Sequence, residues 1–295
     1  MSKLYITFLE TAVVPLTYEP ETEAYLDVIG IVNSVDTTYY SSTAQEITGR
    51  AIWTAVDAFV VSLKASFSLT LGVNNLSTKI DAIYPFIGGT ATAHKYNLCN
   101  PLDTDAAFRL TFAGGWTHSE TGALPNGSNA YARTYWIQNT NGSDAIANFG
   151  MYSRTEDTSA LMIQGAINTV SNDNMFHVIH DSSNANMTIN DNSNVSYTAT
   201  PTTRFHFARR SAVNELQAYR DGTSLGTNVT NQTGNQCTLE FYLAARNVDG
   251  SSTQRYFKHE FALALISGVA AINNTQAGDI RTAVDTLQAA LFRNV

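Results

Sequence analysis

Residues 216–226 read LQAYRDGTSLG. Asp221-Gly222 supplies the two positive-φ positions of a type I′ turn, so the runs on either side are expected to pair as an antiparallel hairpin. The same grammar continues in both directions. From about residue 84 to 266, short runs rich in Phe, Tyr, Val, Thr and Ile alternate with clusters of Gly, Asn, Asp and Pro. The runs are Phe108–Phe112, Tyr131–Ile137, Ala145–Tyr152, Leu161–Ile167, Met175–Ile179, Asn186–Ile189, Arg204–Ala208, Leu216–Tyr219, Leu239–Leu243 and Tyr256–Ile266. Many short strands with regular turn signals predict an all-β sandwich or barrel. In Phe261-Ala262-Leu263-Ala264-Leu265 bulk alternates with small residues, so one face holds bulk and the other is expected under a helix or a second sheet. The Asn-rich stretch SSNANMTINDNSNVS reads as a hairpin with polar turns.

Outside this block the period changes. Residues 46–65, EITGRAIWTAVDAFVVSLKA, place Ile52, Ala55, Val56, Phe59, Val60 and Leu63 on one helical face, with Thr48 as N-cap. Ser77 is expected to cap a short second helix, TKIDAIY, ended by Pro85. The end, TQAGDIRTAVDTLQAALFRNV, carries the stripe Ile280, Val284, Leu287 and Leu291, with Thr275 and Asp279 near a capping arrangement. In the leader 1–24, Leu4, Ile6 and Phe8 alternate with Tyr5 and Thr7 as in a short strand, followed by Glu19-Pro20-Glu21. This leader is either a flexible arm or a segment that orders against a partner subunit, which makes Leu4, Ile6 and Phe8 assembly candidates. The chain thus divides into an arm at 1–45, a helical segment at 46–83, and a sandwich with its C-terminal helix at 84–295.

Of 295 residues, 25 are acidic and 17 basic, giving a net charge of -8. Charged residues are 14%, against the usual quarter. There is no basic block, and Arg209-Arg210 is the clear dibasic step, so binding nucleic acid by neutralising phosphate is not expected. No basic region followed by an apolar run marks a signal peptide, and no apolar stretch is long enough to span a bilayer. Synthesis in the cytoplasm is expected, without membrane insertion. Cys99 and Cys237 lack CxxC or CxxH spacing; buried free thiols are expected rather than a zinc site, and a single disulfide is left open.

Glycoside cleavage needs two carboxylates in one cleft, which on one strand means Asp/Glu at i and i+2. The pairs at that spacing are Glu19/Glu21, Glu21/Glu23 and Asp103/Asp105. The first two sit beside a proline in the arm, and Asp103 and Asp105 read as turn or capping residues. No catalytic pair and no enzyme activity is expected. Asp103 and Asp105, with Asp173, Asp181 and Asp191, are the weak calcium candidates; no other cofactor is indicated. His177 and His180 lie three apart, facing opposite sides of a strand, and cannot share a metal. No GxSxG, GxxxxGK[ST] or GxGxxG occurs, and the glycines at 88–89 and 114–115 read as turn residues. Aromatics could bind sugars by stacking. Trp116, Tyr131, Tyr135, Trp136, Tyr152 and Tyr242 are available, with Trp116 beside Gly114-Gly115 the best loop aromatic; Trp116, His118, Tyr131 and Tyr135 are carried as glycan-binding candidates.

The block IYPFIGGTATAHKYNLCNPLDTDAAFRLTFAGGWTHSETGALPNGSNAYA at 83–132 resembles a block that recurs in virion proteins of tailed bacteriophages. In that group a helical segment ending in a YP step precedes it, and a concanavalin A-like (LamG-like) jelly roll follows. LQAYRDGTSLGT resembles the hairpin of that jelly roll, FYLAARNVDGSSTQRYFKHEFALALIS its closing strands, and LQAALFRNV the end of its terminal helix. The resemblance covers roughly 46–295 and is most specific at 83–132. It implies a mainly β, concanavalin A-like jelly-roll β-sandwich in a structural virion protein, with other virion proteins as partners and copies assembled as a homo-oligomer. A host-surface polysaccharide is the implied external contact. The rival expectations are a receptor-binding tail-fibre or tail-spike protein, a capsid decoration or head-fibre protein without glycan binding, and, disfavoured by the absent carboxylate motif, a glycan hydrolase.

Overall fold

The computed structural model describes residues 17–41, 46–155, 162–169, 173–181, 184–189, 194–198, 204–229, 236–250, 252–256 and 258–294. Along the chain run α1 (Pro20–Val28), β1 (Thr38–Ser41), β2 (Glu46–Thr48), α2 (Gly49–Ser66), β3 (Ala82–Tyr84), α3 (Ala91–His94), β4 (Thr111–Ala113), β5 (Trp116–Ser119), β6 (Gly122–Pro125), β7 (Tyr131–Ile137) and α4 (Gln138–Asn141). Then come β8 (Ala147–Ser153), β9 (Met162–Asn168), β10 (Asp173–Asp181), β11 (Asn184–Ile189), β12 (Asn194–Thr198), β13 (Arg204–Ala212), β14 (Glu215–Arg220), β15 (Thr223–Asn228), β16 (Glu240–Leu243), β17 (Arg246–Val248), β18 (Ser252–Gln254), β19 (Phe261–Ser267) and α5 (Asn274–Ala290).

Two sheets stack into a sandwich. One runs β12-β11-β10-β9-β16-β7-β4, with β17 and β18 attached through β9. The other runs β15-β14-β13-β8-β19-β6-β5, with β3 paired to β19. Trp136, Phe149, Met151, Phe241, Phe261 and Ile266 fill the space between them. A second core lies on the outer side of the β8–β19 sheet, where Ile52, Val56, Phe59, Val284 and Leu287 of α2 and α5 meet Tyr152, Phe205, Phe207, Leu263 and Leu265. The mainly β, concanavalin A-like jelly-roll sandwich with a C-terminal helix is therefore the architecture, built as three layers. β19 explains how the middle sheet is covered on both faces. Phe261, Ala264 and Ile266 enter the sandwich core, Ala262, Leu263 and Leu265 enter the helix-side core, and the register shifts between Phe261 and Leu263.

The hairpin that opened the reading forms as expected. Asp221 and Gly222 take φ of +50° and +74°, and Arg220 pairs with Thr223. The Asn-rich stretch forms the β11–β12 hairpin, with Thr188 opposite Asn194. Cys99 and Cys237 are buried, and neither forms a disulfide among the described residues. Gly114 is a turn glycine in fact: its φ is +73°, and a Cβ there would lie 2.1 Å from the Asn129 carbonyl oxygen.

Three local expectations are corrected. The helix expected over 46–65 starts at Gly49, because Glu46–Thr48 pair with β1; Thr48 still caps it, its Oγ1 accepting the Ala51 N–H at 3.2 Å. Thr48→Ala should lower stability by about 1 kcal/mol, read as a drop in urea midpoint at unchanged slope. The stretch TKIDAIY is not a helix. Leu76–Thr78 make one 3-10 turn, and Ala82–Tyr84 become β3 on β19. Ala82 and Tyr84 face the sandwich while Ile83 faces the helices, a two-residue period that the long-range partner β19 selects. At α5 the cap is Asn273, not Thr275 with Asp279: Asn273 and Gln276 exchange side chain–backbone hydrogen bonds at 2.9 and 3.0 Å. The buried stripe Ile280, Val284, Leu287 and Leu291 is as expected.

Part of the leader orders on this chain itself. α1 buries Tyr25 and Leu26, and Glu19 and Glu21 both bind Lys64 of α2. The physical reason is the lysine, whose ammonium on a buried helix face needs opposite charge. Leu4, Ile6 and Phe8 lie outside the described residues. No helix among the described residues is long and apolar enough to cross a membrane.

Candidate functional site

The alternation of β7 builds the site. Ala132, Thr134 and Trp136 point into the sandwich and are buried; Tyr131, Arg133 and Tyr135 share the outer face and are half-buried. β16 places Tyr242 directly across from Arg133, and β4 places Thr111 across from it on the other side. The rings of Tyr131 and Tyr242 stack with centroids 5.1 Å apart and planes 17° from parallel.

A bulge fixes the centre of this surface. Arg133 pairs with Tyr242 and Ile137 with Glu240, so three residues of β7 oppose one of β16. Tyr135, in the bulge, has φ of +59°, a left-handed conformation that strains a non-glycine residue. Glu240 holds it there. One carboxylate oxygen accepts the Tyr135 N–H at 2.6 Å, and the other accepts Arg133 Nε and Nη2 at 3.0 and 2.8 Å. The Thr134 hydroxyl donates to the Phe241 carbonyl at 2.6 Å from the inner side. Glu240 is buried, whereas the Arg133 side chain is 43% exposed. The hydrogen bond to Glu240 raises the Arg133 pKa, against the pull of its own partial burial. Burial, then the Glu240 charge, raises the pKa of the Tyr242 hydroxyl. The guanidinium of Arg133 lies 4.6 Å from the Tyr135 ring centroid and that of Arg109 5.9 Å, while the Tyr135 hydroxyl meets the Thr111 hydroxyl at 2.9 Å.

At the margin, Lys95 donates to Asp103 at 2.6 Å, and Arg109 reaches Asp103 at 3.4 Å and Asp105 at 2.8 Å. Asp103 and Asp105, the weak calcium candidates, both face cations of this chain, and Asp105 opens a single 3-10 turn. The hydrogen bond from Lys95 holds the Asp103 carboxyl below its ordinary range. Among the described residues no three His, Cys, Asp or Glu side chains group as a metal requires. The side chains of Asp173, Asp181, Asp191, His177 and His180 lie outside the described residues.

The four glycan candidates separate into two groups. Tyr131 and Tyr135 belong to the outer surface. Trp116 and His118 do not: Trp116 lies on β5 rather than in a loop, its indole N–H donates to the carbonyls of Ala113 and Tyr131, and its ring packs on Phe112 and Phe261. Trp136 and Tyr152 are core. Sequence reading missed Arg133 and Glu240. The signal was there in YARTYWI, where Arg133 sits between two tyrosines of one strand face, and in LEFYL, where one acid interrupts an apolar run.

The resulting surface offers aromatic rings, a fixed guanidinium and a fixed carboxylate within one patch. Groups of this kind are suited to stacking on an apolar ring face and to directed hydrogen bonds.

Fold and surface together define a concanavalin A-like jelly-roll sandwich carrying a polar-aromatic platform. No family model matches the chain, and no curated protein matches it. Among solved structures, the Trypanosoma rangeli sialidase in complex with sialic acid shares the fold at a TM-score of 0.51 and 9% identity, over 81% of this chain and 39% of that one. Botulinum neurotoxin type C aligns at a TM-score of 0.38 and 10% identity, over 61% of this chain and 47% of that one. The NanB sialidase from Streptococcus pneumoniae aligns at 0.34 and 12%, over 50% and 27%. The chain spans less than half the length of each, and the likeness is one of fold.

Proposed function

We propose that the protein is a non-enzymatic structural protein of a tailed-bacteriophage virion, and that its platform contacts saccharides of the host surface. The observation that carries the saccharide reading is the strained Tyr135 bulge, pinned by buried Glu240 beside the Tyr131–Tyr242 stack. Strain of this kind persists where the surroundings over-determine it, commonly at ligand sites. Tyrosine rings accept the apolar face of a hexose, and the half-exposed Arg133 guanidinium, held in place by Glu240, offers donors to its hydroxyls. The ligand is a neutral saccharide, because Arg109, Arg133 and Lys95 are each matched by an acid. Binding by one copy is weak and gains strength from many copies on a particle.

The virion assignment rests on the resemblance at 83–132. The non-enzymatic reading is supported by the state of the nearby acids. Glu240, Asp103 and Asp105 are all committed to cations, and a general acid needs a raised pKa, opposite to the shift at Asp103.

The test is a panel of neutral oligosaccharides titrated against the purified protein. Tyr242→Ala should weaken binding roughly two- to tenfold, the size of one lost stacking contact. It should leave thermal stability near wild type. Trp116→Ala should lower stability instead. Retention of full affinity by Tyr242→Ala would move the site elsewhere, and turnover of any panel member would overturn the non-enzymatic reading.

A further inference from the structure

Next to the platform two imidazoles face each other. His94 ends α3 and is 1% exposed; His118 lies on β5. Their Nδ1 atoms stand 2.9 Å apart, so one donates and the other accepts. Nε2 of His94 is buried and has no hydrogen-bond partner. A bare acceptor is tolerated in that position better than an orphaned N–H. This assigns the His94 proton to Nδ1, donating to His118, and the His118 proton to its own Nε2.

A second proton has no good seat. On Nδ1 of His118 it would point at the His94 N–H. On Nε2 of His94 it would place a charge in an apolar pocket whose wall includes Phe86, edge-on at 5.6 Å. The charged groups nearby do not help. Arg293, from the C-terminal tail, acts on His94 as a like charge; Lys95, the next residue, is turned to Asp103. Glu120, after β5, packs on Gly89. Among the described residues no carboxylate forms an ion pair with either ring. Burial first, then His118 and Arg293, push His94 down to about 2, and burial lowers His118 as well.

The pair is wired to the platform through one short strand. Phe112 packs edge-on against His118 at 4.7 Å and against Trp116 at 5.1 Å. Phe112 is the middle residue of β4, which ends its sheet. Its neighbour Thr111 holds the Tyr135 hydroxyl.

We propose that the His94–His118 pair is a proton-operated latch on the sheet edge. A proton taken from solvent by His118 breaks the ring–ring hydrogen bond, turns His118 outward, and loosens β4 together with the Thr111–Tyr135 contact. The consequence for ligand binding rests on the saccharide reading; the loosening of β4 does not.

The sign follows from the two rings. Both favour the neutral form when folded, so the latch is closed above the ordinary histidine value of about 6.5 and opens as pH falls below it. The experiment is a titration of the whole protein by NMR from about pH 8 to about pH 4, spanning that value. Imidazole nitrogen shifts and amide exchange are recorded together. The expected result is one midpoint, below the ordinary value, at which His118 takes up its proton and the His94 Nδ1 shift moves with it as the ring–ring hydrogen bond breaks. Protection factors at Thr111–Ala113, corrected for the pH dependence of intrinsic exchange, should fall at least tenfold across it. Amides of β8 and β19 should keep their protection. His118→Asn, which takes up no proton, should leave the β4 protection factors flat across the same range. A His94 Nδ1 shift that does not move as His118 takes up its proton, or β4 protection unchanged through the titration, would overturn the latch. Failure to bind any saccharide at neutral pH would count against the platform reading alone.

Discussion

Replacing Lys64 with methionine should lower the unfolding free energy by about 3–5 kcal/mol, the usual result of removing one partner from a buried ion cluster. The Lys64 side chain is 0% exposed and so is that of Glu21. All three ammonium protons are used: Glu19 and Glu21 accept at 2.5 and 2.7 Å, and the Val73 carbonyl at 2.7 Å. The acids are also held by backbone, Glu19 by the Gly72 N–H and Glu21 by those of Asn75 and Leu76. Burial works against the charge on Lys64, but its hydrogen bonds to Glu19 and Glu21 outweigh that and raise its pKa. Burial likewise opposes ionised Glu21, and Lys64 with the loop N–H groups outweighs it and lowers that pKa. In the single variant, two carboxylates lose their counter-charge inside the helix layer. Urea unfolding measures the loss directly. The triple variant Lys64→Met, Glu19→Gln, Glu21→Gln should recover much of it, because desolvated charge, not lost volume, carries the penalty. A single variant within about 1 kcal/mol of wild type would mean the cluster is hydrated. Since the Glu21 pKa is depressed in the fold, its contribution is present above the ordinary carboxylate range and declines as pH falls through the folded value.

Phe261→Ala should cost about 3–5 kcal/mol, the range for emptying a buried aromatic site. Phe261 is fully buried where β19 passes between the two cores, with Phe86 at 5.9 Å and Trp116 at 6.2 Å. Strands cover it on both sides and cannot collapse inward without breaking ladders, so most of the cavity should persist. The midpoint of urea unfolding should fall at a nearly unchanged slope. A loss below about 1 kcal/mol would show that the sandwich repacks at this edge.

Much of the fold was legible because its signals are local. Asp221-Gly222 dictates a turn through backbone sterics alone, and the i, i+3, i+4 stripe of α2 needs no partner to be recognised. Where the reading failed, a distant partner decided. Ala82–Tyr84 form a strand because β19 lies beside them, nearly two hundred residues away in sequence, and an isolated apolar run of that length carries no period of its own. Glu19-Pro20-Glu21 looked like a solvated arm because acids beside a proline usually are; Lys64 reverses that. The site was half legible. Tyr131 and Tyr135 stand out as aromatics on one strand face, but the bulge that aims them depends on Glu240, over a hundred residues away. Trp116 misled because a tryptophan after two glycines reads as a loop residue, whereas Gly114 only turns the chain from β4 into β5.

The central claim is that the outer face of β7 and β16 is the saccharide surface. The most direct measurement is NMR mapping of a bound neutral oligosaccharide at saturation. The account predicts the largest shift changes at Tyr131, Arg133, Tyr135 and Tyr242, with the helix layer of α2 and α5 undisturbed. Saturation with changes confined to another face, or no binding by any member of the panel, would contradict it.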